Sequence, residues 1–140
     1  MIPQDKLQTL AKNLNNFTTE YGLILHTEML SGEVDVLVLT IEDREEFPIY
    51  ITLDEEQMLC VTHLWKESEV DTGKHTALLD VLLSANVSMP LSSFSKVGSQ
   101  YIIFGALSSQ APLDEIIEEV IVLSNNTLTA VEELSEYLLK

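Results

Sequence analysis

The spacing of apolar residues changes along the chain, and each change predicts a different element of secondary structure. Near the start, apolar residues recur at steps of three and four, which places them on one stripe of an amphipathic helix. The stripe consists of Leu7, Leu10, Ala11, Leu14 and Phe17. After Gly22 the period changes to two, which is the period of a β-strand. Four consecutive strands, forming a meander, are predicted over residues 23–30, 34–41, 47–53 and 58–65.

Three details of these runs refine the predicted sheet. The second run is apolar on both faces from Val36 onward, which is typical of a central strand that is covered on both sides or lies at an oligomer contact. Pro48 has no N–H to donate, so we expect it at the beginning of the third strand or on an edge. In the fourth run, alternation predicts that Cys60 and His63 point to opposite faces and that Trp65 shares the face of His63.

The second half of the chain predicts a further helix and then a hairpin. A helix begins near His75 and is apolar nearly all round, so we expect it to be buried. Residues 93–97 and 101–107, joined by a short turn that contains glycine, predict two more strands. The predicted element order is therefore α-β-β-β-β-α-β-β-α. It indicates a single α+β domain over residues 1–140, in which helices pack on an antiparallel sheet of five or six strands.

The last segment predicts a long helix whose faces differ in character. Apolar residues at steps of three and four run from Leu113 to Leu138, so the helix is either continuous or divided at Asn125 and Asn126, two poor helix formers that permit a kink or a split. The apolar stripe either packs wholly on the sheet of its own chain or forms part of a homodimer or partner surface. The predicted solvent face carries Glu115, Glu118, Glu119, Glu132, Glu133 and Glu136.

Composition and charge narrow the class of protein. The chain has 140 residues, 46% of them apolar, and carries 23 Asp+Glu against seven Lys+Arg, for a net charge of −16. This apolar content is typical of a globular protein. Nucleic acid and anionic lipid are not expected partners, because binding to both depends on Lys and Arg. The single cysteine, and the lack of a leader peptide and of an apolar run of about 20 residues, predict a cytoplasmic protein without membrane insertion.

The sequence lacks the motifs of common catalytic and cofactor sites. Its five glycines form no phosphate-binding loop, and there is no Gly-x-Ser-x-Gly elbow. The three histidines, His26, His63 and His75, have no partners at metal-ligand spacing. The single cysteine lies in a predicted strand, where strand geometry separates it from the nearest histidine. We therefore expect no enzyme activity, no cofactor and no metal site.

Four residues are candidates for contacting a partner protein: Arg44, Tyr50, Trp65 and Tyr101. Arg44 is the only arginine and lies among four carboxylates, so it either forms a surface ion pair or fixes its loop for a partner. Trp65 is either an exposed recognition aromatic or a residue at the rim of the core. A pocket near His63, Trp65 and Tyr101 would instead indicate a small-molecule sensor or an enzyme.

Four short motifs, spread over most of the chain, are specific as a combination. They are Glu42-Asp43-Arg44-Glu45-Glu46-Phe47-Pro48, Gln57-Met58-Leu59-Cys60 with Leu64-Trp65, Met89-Pro90-Leu91-Ser92, and Tyr101-x-x-Phe104-Gly105-Ala106-Leu107-Ser108. Together they resemble the YjfI-like family of uncharacterised bacterial proteins. The resemblance implies a small cytoplasmic protein of unknown biochemical function, whose gene is often associated with genes for PspA-like coiled-coil proteins of membrane stress, and it implies no site residues.

The element order also looks like that of class I type III secretion chaperones, which are small, acidic and often dimeric proteins that hold a segment of a partner. Fold alone does not determine function. We expect a non-catalytic interaction module, an adaptor or chaperone-like regulator, in which an apolar surface gives affinity and the negative charge steers a basic partner. The alternatives are a small-molecule sensor or enzyme with a pocket between helix and sheet, and a protein that acts mainly through homodimerisation.

Overall fold

The segments with a period of two form one antiparallel sheet, and helices pack against it. The computed structural model describes the backbone of residues 3–140 and the side chains of residues 5–140, so residues 1 and 2 of the predicted domain lie outside the described part. The helices are α1 (Pro3–Leu14), α2 (His75–Ala85) and α3 (Leu113–Glu133). The strands are β1 (Leu25–Leu30), β2 (Val36–Ile41), β3 (Ile49–Leu53), β4 (Gln57–Lys66), β5 (Ser93–Val97) and β6 (Gln100–Ser108). Short 3-10 helices span Glu67–Glu69, Thr72–Lys74 and Ser135–Tyr137.

This arrangement confirms the predicted α+β class and element order. The six strands lie in the order β1-β2-β3-β4-β6-β5, and all neighbouring strands are antiparallel. β1 to β4 form the predicted meander, and the hairpin of β5 and β6 joins it through β6, so that β5 lies at the edge. Pro48 directly precedes β3, a position at which its missing N–H breaks no ladder hydrogen bond.

The register divides the strand residues into two faces that differ in burial. On one face, Leu39 pairs with Ile49 and Ile51 pairs with Cys60, and all four side chains are buried. α1 contacts β1, β2 and β3, and α3 contacts β4 and β6. These two helices therefore cover this face, which we call the covered face, and the core of the protein lies between it and them.

The opposite face has no helical layer over it among the described residues. It holds the alternate positions of the strands, where most side chains are only partly buried. We call it the open face. Its apolar side chains are Leu30, Val36, Val38, Tyr50, Leu59, Val61, Val97, Ile102, Phe104 and Ala106. The expectation that β2 is apolar on both faces is met, but a helix covers it on one face only.

A β-bulge interrupts β4 near its end. The register of β4 with β6 shifts between His63 and Lys66, and such a bulge changes the direction of the side chains that follow. Trp65 consequently packs into the core with only 5% of its surface exposed. The prediction that Trp65 shares the face of His63 is therefore wrong, because local alternation does not reveal a bulge.

The first helix is shorter than its apolar stripe predicts. α1 ends at Leu14, and Asn16 adopts a positive φ of 62°, a conformation that terminates helices. The N–H of Asn16 donates a hydrogen bond of 2.8 Å to the carbonyl oxygen of Leu25, at the start of β1. Phe17 therefore lies beyond the helix, in the segment that turns back into the sheet.

α2 is buried along one stripe and not on every side. Leu78 and Leu82 are its buried residues, whereas Leu83 is 71% exposed. The helix contacts β5, the edge strand, so protein surrounds it on one side only. The expectation of a helix buried all round is therefore wrong, since apolar composition alone does not show where a helix lies relative to the sheet.

α3 runs without a break past Asn125 and Asn126, so of the two alternatives for this segment the structure has the continuous helix. The side-chain amide of Asn126 donates to the carbonyl oxygen of Pro90 and to Oγ of Ser92, each at 3.0 Å. These bonds hold the helix to the segment before β5. α3 ends at Glu133 after 21 residues, about 31 Å. The predicted continuation to Leu138 is wrong, because a short 3-10 helix follows and Leu138 forms a bridge with Val70.

One glutamate from the predicted solvent face of α3 is buried against the sheet. Glu119 is 2% exposed, and its carboxyl group lies over Gly105 of β6. A Cβ atom at position 105 would overlap this carboxyl group and would lie 2.9 Å from the carbonyl oxygen of Leu91. The missing side chain of Gly105 thus permits the close approach of α3 to the sheet. The other five glutamates are exposed, as predicted.

We predict that Gly105→Ala lowers the free energy of unfolding by about 1–3 kcal/mol, the usual cost of forcing an extra carbon into a packed region. Gly73→Ala is the matched control, because a Cβ atom there would lie 3.5 Å from the carboxyl group of Asp71, an ordinary contact. We expect the control to change stability by no more than about 0.5 kcal/mol. Urea denaturation followed by circular dichroism measures both variants, and an unchanged midpoint for Gly105→Ala would contradict the close approach.

Candidate functional site

Two of the four candidate residues, Trp65 and Tyr101, meet in a polar and aromatic cluster around Glu67. The rings of Trp65 and Tyr101 are tilted at 58° with centroids 6.4 Å apart. The hydroxyl of Tyr101 donates to Oε2 of Glu67 at 3.0 Å, and Nε2 of His75 lies 2.8 Å from Oε1. Lys96 forms an ion pair with the same carboxylate and lies over the Tyr101 ring, 5.3 Å from its centre.

The cluster connects several elements of the fold and leaves little exposed surface on which a partner could bind. The hydrogen bond from Lys96 is the main cause that holds the pKa of the Glu67 carboxyl below its ordinary value. Burial, followed by the hydrogen bond to Glu67, raises the pKa of Tyr101 to about 12. Tyr101 is only 1% exposed, and Trp65 is also buried. A partner-binding role for these two aromatics stays a prediction that this packing does not favour.

Arg44 lies in the turn between β2 and β3 and holds that turn against α3. Its Nη1 donates to Oγ of Ser124 at 2.9 Å and to Oδ1 of Asn125 at 2.8 Å. The ion pairs found among the described residues do not include Arg44. These hydrogen bonds fix the loop of Arg44 against α3, and a role of that loop in binding a partner protein stays a prediction.

A groove of about 900 Å³ lies beside Arg44, between segment 17–23, the β2–β3 turn and the first half of α3. Its apolar lining comes from both walls: Phe17 and Leu23 on one side, and Ile117, Ile121 and Val122 on the other. Helical spacing explains the second set, because Ile117 and Ile121 are four residues apart and lie on the same face of the helix, with Val122 next to Ile121.

The wall formed by segment 17–23 depends on a tight turn. The N–H of Thr19 donates to the carbonyl oxygen of Leu23, and the carbonyl oxygen of Thr19 accepts from the N–H of Gly22. Gly22 adopts a φ of 82°, which a residue with a side chain rarely takes. The turn places Tyr21 at its tip, where 75% of the residue is exposed at the rim of the groove. An exposed tyrosine at a rim is typical of sites that contact other proteins.

Carboxylates make the rim of this groove acidic. Glu20 lies on the turn, and Asp114 and Glu118 lie on α3, and all three are exposed. Among the described residues that line the groove, Arg44 is the one with a cationic side chain. The groove therefore combines an apolar floor with a mostly negative rim, an arrangement that suits a ligand with one apolar and one basic side.

Tyr50, the remaining candidate, lies on the open face and away from the groove. Its ring stacks on His63 with centroids 5.1 Å apart and an interplanar angle of 30°. Both side chains are outward-facing on neighbouring strands, which explains the contact. The structure thus distributes the four candidates over three places: the Glu67 cluster, the groove and the open face.

Cys60 and Glu119 face each other in the core, between β4 and α3. Burial, and secondly the negative charge of Glu119, raise the pKa of the Cys60 thiol to about 12. Burial, and secondly the charge of Glu118, raise the pKa of Glu119. A buried thiol that holds its proton is a poor nucleophile, and His63 lies on the opposite face of the sheet.

Sequence reasoning found Arg44 but missed the rest of the groove. The side chains of segment 17–23 and of α3 come together only through the packing of the chain. The available signal was local: Gly22 marked the turn, and the i, i+4 pair Ile117 and Ile121 marked the apolar stripe. Among the described residues no cluster of metal-ligating side chains is found, and no helix there is both long and apolar enough to cross a bilayer.

Comparisons with known proteins match almost the whole chain. The family described as "Uncharacterized protein conserved in bacteria (DUF2170)" matches residues 4–138. "Uncharacterized protein YjfI" of Escherichia coli strain K12 is 31% identical over 112 residues, which cover 77% of this chain and 83% of that protein, and the protein of the same name from strain O157:H7 gives the same values. The crystal structure of YbjN from E. coli, a candidate transcription regulator, has a TM-score of 0.64 at 14% identity and covers 96% of this chain and 94% of its own.

We predict that Glu119→Gln removes a pH-dependent loss of stability. The pKa of Glu119 is raised above 4.5 in the folded protein, so folding favours its protonated form. This contribution to stability is complete below pH about 4.5 and is lost as the pH rises through the raised pKa. The variant should therefore gain stability relative to the wild type as the pH increases from acidic to neutral.

Urea midpoints measured at a series of pH values test this difference. Glu132→Gln is the matched control, because it removes the same charge from an exposed position on the same helix. We expect the control to follow the wild-type pH profile closely. If the Glu119→Gln profile also ran parallel to the wild-type profile, the burial of an ionisable carboxyl group would be contradicted.

Proposed function

We propose that this chain, which belongs to the DUF2170 family of bacterial proteins, is a non-catalytic protein-interaction module. Membership confirms the YjfI-like resemblance of its sequence motifs. The relatives carry descriptions that name no enzyme family. The likeness to YbjN establishes the fold, and the description of YbjN as a candidate transcription regulator supports an adaptor or regulatory role by analogy only.

The groove between segment 17–23 and α3 is the observation that carries this proposal. Its occupant is a basic, amphipathic segment of a partner protein. The apolar side chains of the floor, such as Ile117 and Ile121, match the apolar stripe of such a segment. Lysines or arginines on its flanks would meet Glu20 and Glu118 at the rim.

The total charge of the chain supports the same choice of partner. A net charge of −16 attracts basic segments from a distance and repels acidic ones, which raises the association rate for the correct partner. A helix of a coiled coil repeats apolar a and d positions, flanked by charged e and g positions, every seven residues. We therefore propose, as the finer form of this function, a segment of a PspA-like coiled-coil protein as the occupant, with the encounter in the cytoplasm.

A small-molecule sensor is the second candidate function, and its binding pocket would be the groove. The expected pocket near His63, Trp65 and Tyr101 is disfavoured, because Trp65 and Tyr101 are buried. The groove beside Arg44 has a volume of about 900 Å³, which lies within the usual range of small-molecule sites. Its open, acidic rim favours a charged segment over an enclosed ligand.

We also propose that the chain associates with a second copy of itself. The contact surface that this requires is separate from the groove. A chaperone-like role, in which two copies hold one partner, would follow the architecture of the secretion chaperones by analogy.

We predict that Glu20→Lys combined with Glu118→Lys weakens binding of a synthetic leucine- and lysine-rich helical peptide by about 10-fold. Each reversal replaces an attraction at the rim, worth about 0.2–1 kcal/mol, with a repulsion of similar size. Fluorescence anisotropy with a labelled peptide measures the dissociation constant. Binding to the wild type should also weaken as salt is added.

The control is the double variant Glu132→Lys with Glu133→Lys, which makes the same change in net charge at the far end of α3. It should leave the affinity within about two-fold of the wild type, because those positions lie outside the groove. Equal weakening in both double variants would show that net charge, and not the groove, attracts the peptide, and would refute the assignment of the groove.

A further inference from the structure

Apolar side chains on the open face form an unbroken row across the sheet. Val38 pairs with Tyr50, Tyr50 with Val61, and Val61 with Phe104. Four neighbouring strands, β2, β3, β4 and β6, thus contribute directly opposed apolar side chains, whose Cβ atoms lie about 4.5–5.5 Å apart. A row of this kind is typical of the interior of a two-sheet sandwich.

Negative charge is almost absent from the strands. Of the 23 Asp and Glu residues in the chain, Glu28 alone lies within one of the six strands, and it belongs to the edge strand β1. The other carboxylates lie in helices, turns and connecting segments. The open face therefore carries few charges on a chain of net charge −16: Glu28 and Lys66 within the strands, and at its edge Glu42, whose Oε2 lies 3.7 Å from Nε2 of His26.

We propose that the open face is the contact between two copies of this chain, packed face to face as a sandwich of two sheets. The inference deepens the proposed self-association, on which it rests, and is independent of the groove. A two-fold axis through the centre of the face places Tyr50 of each copy against the same surface of the other. Sheets packed in this way lie about 10 Å apart.

The distribution of charge favours a second copy as the occupant. Two chains of this composition repel each other wherever their carboxylates approach. A contact through the open face brings few carboxylates together, because Glu28 is the one carboxylate within its strands.

The size of the face is sufficient for such a contact. Six strands spaced by about 4.8 Å are about 29 Å wide, and strands of five or six residues are about 17–20 Å long. Two faces of this size bury on the order of 1,000 Å² together, which is the lower limit for a specific interface. A contact at this lower limit is expected to be weak, so the oligomeric state must be measured over a range of protein concentrations.

The test places a charge at the centre of the face and measures the oligomeric state. The variants are Tyr50→Glu and Tyr50→Lys, with Val61→Lys as a second position. The matched controls are Leu83→Glu and Leu83→Lys, at an exposed apolar residue of α2. Sedimentation velocity over about 1–100 µM gives the dissociation constant of the dimer, and circular dichroism establishes that each variant is folded.

We expect each folded open-face variant to raise the dimer dissociation constant by roughly 30-fold or more, as loss of a central contact residue does. Both signs of charge at Tyr50 should have this effect, and the controls should remain dimeric. Wild-type dimerisation should strengthen when NaCl is raised from about 0.05 to 0.5 M, because screening reduces repulsion between acidic chains. Peptide binding in the groove should weaken under the same change.

Three results would overturn the inference. If the wild-type chain stays monomeric at about 100 µM, the proposed self-association and the proposed dimer contact are both wrong. The open face would then contact a different protein. A dimer that persists in folded Tyr50 and Val61 variants would refute the face alone. A dimer that dissociates as salt increases would show that charged groups hold it, and would likewise exclude this face.

Discussion

The close approach of α3 to the sheet at Gly105 is the constraint on which the helical side of the molecule depends. Because position 105 has no side chain, α3 lies near enough to β4 and β6 to bury Val120 and Leu123 completely. The same approach buries Glu119, whose carboxyl group fills the space that a Cβ atom would take. The stability gained by the apolar contacts must exceed the cost of desolvating one carboxyl group, a cost that the raised pKa of Glu119 reflects.

The position of α3 also determines the groove, since Ile117 and Ile121 form one of its walls. Two polar residues in the middle of the helix fix that wall. Asn125 accepts a hydrogen bond from Arg44 of the β2–β3 turn, and Asn126 donates to the segment that precedes β5. Poor helix formers are thus retained inside a continuous helix by bonds to other segments. A wall held in this way is ordered before a ligand arrives, which lowers the entropic cost of binding.

The parts of the fold that sequence predicts are those set by local periodicity. The runs predicted over residues 34–41, 47–53 and 58–65 correspond to β2, β3 and β4, and the pairing of the last two strands followed from a short turn. The bulge after His63, the burial of Glu119 and the walls of the groove were not predictable in this way. Each depends on a contact between segments that are distant in the sequence, and no spacing rule along the chain reports such a contact.

The two proposed surfaces differ in character and lie on different sides of the sheet. The groove is formed by α3 and segment 17–23 on the helical side, and the open face lies opposite. Two copies joined through their open faces would therefore keep both grooves at the outer surfaces of the dimer. A partner that presents the same basic segment more than once, as a coiled-coil assembly does, would engage both grooves together. The second contact then forms at a high effective concentration, so that two weak sites give a strong and selective attachment.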